Sequence, residues 1–305
     1  MSTKVRRFDW AIKKLLRDKA NFVILEGFLS VVLNQQIKII EILESESNQE
    51  TENDKFNKVD LLVKNENNEF IIIEIQNNKE YDYFQRMLYG TSKVITEHLT
   101  KGESYSNVKK IYSITVAYFD LGQGKDYVYY GKTEFTGIHS NEILELSEKQ
   151  VKLFEKNNVK EIYPEYYIIK ADKFDNNKVS DKLDEWIYFL KNSEIPDSFT
   201  APGLQEAKET LAEIKMTESE RIEYEKFNKR LRDIASENFT KEADYKFALE
   251  EKYEQGIEKG KLSEKIETAK LSIKNGLENR TISIITGLTI EEIEKVRTEI
   301  NNEKH

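Results

Sequence analysis

Apolar and polar positions along the chain follow two rhythms, one of strands and one of helices. The clearest strand rhythm runs over 58–78, KVDLLVKNENNEFIIIEIQNN. Residues 59–64 and 69–76 read as two apolar strands, and Asn65-Glu66-Asn67-Asn68 as the polar turn between them. Folding this hairpin about Asn67 sets Asp60 opposite Glu74, Leu62 opposite Ile72 and Lys64 opposite Phe70. Strand side chains alternate faces, so Gln76 shares the face of Glu74. The other face carries Val59, Leu61, Val63, Ile71, Ile73 and Ile75. Both faces are largely apolar, which predicts a hairpin covered on both sides.

Other stretches fill in around it. Phe8, Ile12, Leu15 and Leu16 have helical spacing within a basic segment, 1–19, which carries Lys4, Arg6, Arg7, Lys13, Lys14, Arg17 and Lys19. That segment is either a solvated helix face or a phosphate-facing lip. Asn21 is placed to cap a second helix, FVILEGFLSVVL, which is apolar nearly all round and so predicted to be buried. Glu26 is its one charge, and a lone acid there needs a partner. Residues 37–43 read as a strand and 44–55 as a polar linker. A long helix is expected over 79–99, with Tyr81, Phe84, Leu88, Val94, Ile95 and Leu99 facing the core. Gln85, Arg86 and Tyr89 lie within about a turn of one another on it. Strands are expected at 109–119, at the tyrosine-rich 127–131, and at 161–171 with Pro164 at a bulge or edge. An amphipathic helix surrounds Trp186 at 181–190. Strands alternating with helices imply an α/β layered domain.

The composition shifts near Pro196 and Pro202, which are two of the chain's three prolines. This suggests one domain over 1–198 and a helical region over 199–305. The helical region is highly charged. Its patchy apolar stripe includes Leu231, Ile234, Phe239, Tyr245, Leu249, Tyr253 and Ile257, with Gly256 and Gly260 one turn apart. A partner helix from a second copy would account for that stripe, so a homo-oligomer through the C-terminal helices is expected. The segment ENRTISIITGLTIEEIEKVRTEI has the pattern of a short helix–turn–helix. Its second helix opens with Glu291, Glu292 and Glu294, which phosphates repel, so it reads as an interaction or oligomerisation unit and not as a DNA reader.

Composition narrows the chemistry. The 305 residues include no cysteine, which excludes disulfides, zinc–thiolate sites and cysteine nucleophiles. Three histidines, His98, His139 and His305, argue against a multi-histidine metal centre. No apolar run is long enough to span a membrane and the first residues show no apolar signal core, so a cytoplasmic protein is expected. A net charge of −9 argues against a protein that coats nucleic acid. It leaves room for an enzyme whose basic groups line one cleft.

Attention therefore returns to Asp60 and Glu74. Directly opposed strand residues have Cβ atoms about 5 Å apart. Two carboxylates at roughly that distance repel by about 3 kcal/mol at an effective dielectric near 20. Protonation of one acid, pairing with Lys or Arg, or a divalent cation between them would each relieve this. Oxygen-only ligands suit Mg²⁺ or Mn²⁺.

Asp60, thirteen intervening residues and Glu74-Ile75-Gln76 resemble the core of the PD-(D/E)XK nuclease superfamily. More narrowly, KVDLLV and IIIEIQ followed by YDYFQRMLYGTSKVITEHLTKGESY resemble the Rpn family of recombination-promoting nucleases and transposase-like proteins. The resemblance covers roughly 8–164. It departs from the superfamily at Gln76, where a lysine is usual, although glutamine is typical of the Rpn group. It implies a restriction-endonuclease-like core, a mixed sheet flanked by helices, acting as a metal-dependent DNA endonuclease in recombination, mobile-element biology or phage defence. Asp60, Glu74 and the Ile75 carbonyl would hold Mg²⁺ or Mn²⁺, with Glu26 as the acid from the first core helix. Gln76 would orient a water. Arg86, with Gln85 and Tyr89 beside it, would contact nucleic acid, unless Arg86 is spent on Asp82. The alternative is a decayed nuclease fold kept as an interaction module, and the neutral Gln76 and acidic net charge point that way.

Overall fold

The computed structural model describes residues 2–4, 7–14, 16, 18–43, 60–99, 102–212 and 215–302. The polar linker expected at 44–55, and Val59, lie outside the described residues. In chain order, Ser2–Lys4 is strand β1, Phe8–Lys14 helix α1, Phe22–Val32 helix α2 and Ile39–Leu43 strand β2. Leu61–Asn65 (β3) and Phe70–Gln76 (β4) form the hairpin, followed by helix α3, Tyr83–Glu97. Then come β5 (Ile111–Ala117), β6 (Val128–Gly131), α4 (Glu148–Phe154), β7 (Glu165–Lys170), α5 (Lys182–Asn192) and β8 (Glu194–Pro196). Helices α6 (Leu204–Thr210), α7 (Glu218–Lys274), α8 (Asn279–Thr286) and α9 (Ile290–Asn302) complete the described chain.

The hairpin register is fixed at its turn. Asn65 Oδ1 accepts from the backbone N–H groups of Asn67 at 3.1 Å and Glu69 at 2.8 Å. Asn68 takes a φ of +59°, a left-handed conformation that asparagine tolerates. The resulting pairs are Leu61 with Ile73, Leu62 with Ile72, Val63 with Ile71 and Lys64 with Phe70, as the alternation predicted. The hairpin sits inside a six-stranded sheet of order β2-β3-β4-β5-β7-β6. Strands β4, β5 and β7 are parallel, and the other neighbours pair antiparallel. This mixed sheet with helices on its faces is the fold class the sequence implied.

Both faces are covered. Leu61, Val63, Ile71, Ile73 and Ile75 join the main core with α1, α2 and α5. An aromatic cluster anchors it: Phe8, Phe28, Trp186 and Phe189 have ring centroids 5.2–6.2 Å apart, and all are almost fully buried. Leu62, Phe70 and Ile72 pack on the opposite face against Val94 of α3.

Several expectations shift in detail. Asn21 makes no capping bond; Asp18 instead accepts from Ala20 N–H at the short 3₁₀ turn ahead of α2. Pro164 precedes β7, which lies inside the sheet between β5 and β6, so the proline costs no ladder bond. On α3 the buried face is Tyr83, Met87, Gly90, Thr91 and Val94, while Phe84 and Leu88 are exposed, as is Tyr81 in the turn before the helix. The small Gly90 and Thr91 let this face approach the sheet, and the bulkier stripe turns outward.

The proline-bearing segment is part of the first core. Ala201, Leu204, Ala207 and Leu211 are buried within it, and Trp186 Nε1 donates to the Pro202 carbonyl at 3.1 Å. The compact units accordingly divide after Phe227, as 1–227 and 228–305, whereas the composition change pointed to 198. In the second unit Ala269, Ile282, Leu288 and Ile293 form a small core between the end of α7, α8 and α9. Gly287 ends α8 at a φ of +71°. Thr289 and Glu292 form a reciprocal capping box at the start of α9, with Glu292 accepting from Thr289 N–H at 2.8 Å and Thr289 Oγ1 accepting from Glu292 N–H at 3.2 Å. One of the acids that open this helix therefore serves the helix itself. Among the described residues no helix is long and apolar enough to cross a membrane.

Gly27 of α2 marks the closest approach in the first core. A Cβ there would land on the Pro202 carbonyl and the Gly203 backbone, neither of which is a flexible side chain. Gly27→Ala is expected to cost about 1–3 kcal/mol or more by overpacking. Urea unfolding measures it, and an unchanged midpoint would contradict this packing.

Candidate active site

The exit of β4 builds the site. Residue 60 is one step before Leu61, so the register carries Asp60 to the position facing Glu74. Asp60 Oδ2 accepts from the backbone N–H of Ile75 at 2.8 Å, which fastens this acid to the strand that bears the other. Glu74 is buried. The phenol of Tyr83, at the first residue of α3 and fully buried, donates to Glu74 Oε2 at 2.8 Å and lies 3.3 Å from Thr115 Oγ1 on β5.

These contacts set the electrostatics. Burial pushes the Glu74 carboxyl above the usual carboxylate range. The Tyr83 hydroxyl and the positive charge of Arg86 pull it back, while the negative charges of Asp60 and Glu80 push it further up. Burial also drives the Tyr83 phenol well above its ordinary value, with the charge of Glu74 adding to it, so Tyr83 stays a proton donor.

A second chain of contacts runs alongside. Gln76 Nε2 donates to Glu80 Oε1 at 2.7 Å and to the Asn78 carbonyl at 3.1 Å. Arg86 Nη1 donates to both Glu80 oxygens at 3.0 Å. Burial alone would lower the Arg86 guanidinium, but Glu74 and Glu80 outweigh it and raise it. Arg86 Nε is buried without a hydrogen-bond partner.

Asp60, Glu74, Gln76 and Arg86 thus come together, and Ile75 lies between the acids. Gln85 and Tyr89 are exposed on α3 one turn or less from Arg86. Arg86 is paired with Glu80 and not with Asp82. Glu26 does not join them. It accepts from Lys38 Nζ and from Ile39 N–H, each at 2.9 Å. Ile39 pairs with Asn65, at the end of β3 remote from Asp60, so Glu26 is held roughly 16–17 Å along the strand direction from the acid pair. Its partner is a lysine and a strand amide. Of the basic N-terminal segment, Arg7 binds Asp9 at 3.1 Å and reaches Asn77 at 3.3 Å, next to Gln76. Arg6, Arg17 and the side chains of Lys4, Lys13 and Lys14 lie outside the described residues.

Sequence reading missed Glu80 and Tyr83. The signal for Tyr83 was present, since Tyr83, Met87 and Val94 also keep helical spacing, but the larger stripe through Phe84 and Leu88 masked it. Glu80 lies four residues after Gln76, in a segment read as helix that is an irregular turn.

The donor set is all oxygen: two carboxylates on adjacent strands, one of them buried, with the Ile75 amide bound to Asp60. It fits a hard divalent cation. Among the described residues no group of three or more His, Asp or Glu side chains is gathered for a metal, so the carboxylate contribution here is the pair.

No curated protein and no solved structure matches the chain. A family model described as PD-(D/E)XK nuclease family transposase matches residues 6–240, a span that contains every residue of this site. The match supports a nuclease- or transposase-like role, and nucleases of this kind generally use divalent metals. With its acid pair on adjacent strands of a mixed sheet and a match over most of its length, this chain belongs to the PD-(D/E)XK nuclease family transposases.

Proposed function

We propose that the protein is a metal-dependent DNA endonuclease that hydrolyses phosphodiester bonds at the Asp60–Glu74 pair. The observation that supports this reading is the buried Glu74, held beside Asp60 and raised by burial and neighbouring acids, within the span that the family model matches. Asp60, Glu74 and the Ile75 carbonyl would hold Mg²⁺ or Mn²⁺. Such an ion, when bound, lowers the pKa of a water and offsets charge on the phosphate. Tyr83 keeps Glu74 oriented by donating to its Oε2. Gln76 commits its amide N–H groups to Glu80 and Asn78, which leaves Oε1 to accept from an attacking water and orient it. Arg86 spends Nη1 on Glu80, and the rest of its half-exposed guanidinium would meet a phosphate oxygen. Gln85 and Tyr89 flank that contact.

A second reading, a nuclease fold kept as an interaction module, is favoured by Gln76 being tied to Glu80 and by the lack, among the described residues, of a group of three or more acids or histidines gathered to hold a metal. Plasmid nicking separates the two. The nuclease reading expects Mg²⁺- or Mn²⁺-dependent nicking that Asp60→Ala and Glu74→Gln abolish while thermal unfolding stays cooperative. Nicking equal to wild type in both variants, or no nicking together with no Mg²⁺ uptake by calorimetry, would sink it.

The helical region supplies self-association in this proposal, with the nuclease in the first unit. Tyr245, Leu249 and Tyr253 are exposed at successive turns of α7, and Gly256 and Gly260 continue the stripe, each facing open space. A second copy laid along this stripe would bury it. Sedimentation should give twice the 35.9 kDa chain mass, and Leu249→Glu with Tyr253→Glu should return it to a monomer. A monomeric wild type at micromolar concentration would refute the assignment.

A further inference from the structure

Two arginines bracket the exit of β4. The consecutive residues Gln76 and Asn77 each tie into an acid–arginine pair. Gln76 donates to Glu80, which binds Arg86. Asn77 Oδ1 accepts from Arg7 Nη2 at 3.3 Å, and Arg7 is bound to Asp9. The two pairs stand on opposite faces of the sheet. Arg86 lies over the ring of Tyr83, which packs on the α3 side with Ala117 and Leu121. Arg7 lies 5.2 Å from the centre of the Tyr118 ring, which packs against the main core on the other side. Tyr118 follows β5, and its backbone N–H donates to the Gln76 carbonyl at 2.9 Å. Arg7 therefore sits at the carboxyl ends of two neighbouring parallel strands, the edge at which open α/β sheets bind their ligands.

Arg7 is held more firmly than an ordinary surface arginine. Its backbone N–H donates to the Tyr224 hydroxyl at 3.0 Å. Its Nε donates to Asp9 Oδ1 and its Nη2 to Asp9 Oδ2, each at 3.1 Å, the two-point fork of a guanidinium on a carboxylate. Asp9 is itself buried and accepts from the Trp10 N–H at 2.9 Å. The Arg7 side chain is 28% exposed against 2% for that of Asp9. The acid thus lies inward and the cation outward, so the pair presents positive charge at the sheet edge. Among the described residues Nη1 of Arg7 has no hydrogen-bond partner, and it is not buried. A guanidinium already ordered through its other nitrogens, with one outward donor open, loses little freedom on taking a phosphate oxygen.

We propose that Arg7 binds a backbone phosphate of the DNA substrate on the face of β4 opposite Arg86, so that the strand crosses the exit of β4 between two guanidiniums, with Asp9 as the residue that positions Arg7. The inference rests on the nuclease reading for its polyanionic substrate. The competing role is a purely structural staple that fastens the start of the chain to the sheet edge.

Fluorescence anisotropy with the full chain carrying Asp60→Ala, in Mg²⁺, tests the contact without cleavage. A labelled DNA duplex is titrated over a series of KCl concentrations. Each phosphate contact contributes roughly 0.9 to the slope of log affinity against log salt. Adding Arg7→Gln, whose amide still donates to Asp9 or Asn77, should weaken binding several-fold and lower that slope by about 0.9. Arg7→Lys, which keeps the charge, should keep the slope, and it tests the contact even where Arg7→Gln fails to fold. A staple alone would lower the thermal midpoint of Arg7→Gln and leave the slope as it was. The proposal is overturned if Arg7→Gln leaves the slope unchanged, if Arg7→Lys lowers it by the full contact, or if the chain does not bind the duplex. Wild-type plasmid nicking is measured in parallel. Nicking with no Arg7 effect on the slope defeats the phosphate contact alone, whereas an Arg7-dependent slope without nicking defeats the nuclease reading alone.

Discussion

The structure depends on holding a carboxylate inside an apolar sheet. Glu74 sits on a strand whose neighbours are Ile73 and Ile75, and burial disfavours its charge. The surrounding contacts are arranged to tolerate this. Tyr83 donates to it from the helix above, and Arg86 supplies a positive field from one turn further on. Helix α3 must therefore dock with Tyr83 inward. That docking is allowed by Gly90 and Thr91, which are small enough to lie against the sheet. One buried acid thus dictates the rotation of the helix that follows it.

The same constraint separates two kinds of acid in the first unit. Asp60 and Glu74 are placed by strand register, and Asp60 is secured by the amide next to Glu74. Glu26 begins from a similar sequence position, a lone charge in an apolar helix, yet it is satisfied by Lys38 and an amide of β2. A lone buried acid signals that a partner exists, and only the tertiary register decides which partner. Here α2 meets the sheet near the turn of the hairpin, and the acid pair lies at its open end.

This difference explains what could be read from the chain and what could not. The hairpin was legible because period-two alternation with an asparagine turn fixes both pairing and faces, so Asp60 opposite Glu74 followed from counting. The buried apolar α2 and the helix around Trp186 were legible for the same reason, since their patterns admit one burial. The face of α3 was not. Two stripes compete on that helix, and the larger one lost because Glu74 required the tyrosine. Glu80 was hidden because its role depends on an irregular turn bringing it back onto Gln76, which no periodicity encodes. The extent of the first core was also obscured. Pro196 and Pro202 mark a turn of the chain, but Ala201, Leu204 and Leu211 continue the core past it.

Gln76 shows how neighbouring charges adapt to one another. A lysine at this place would bring a cation beside Glu74, and Glu80 would neutralise it. With a neutral amide, Glu80 is free to pair with Arg86, so the cation nearest the acids comes from the helix and not from the strand. The consequence is geometric as well as electrostatic. A guanidinium on α3 reaches the acids from the helix, with its planar fork engaged by Glu80, while a strand lysine would point among the carboxylates. Placing the positive charge on the helix leaves the strand face to the carboxylates of Asp60 and Glu74. The buried carboxylate and the guanidinium are then divided between β4 and α3, joined by the six residues from Asn77 to Asp82.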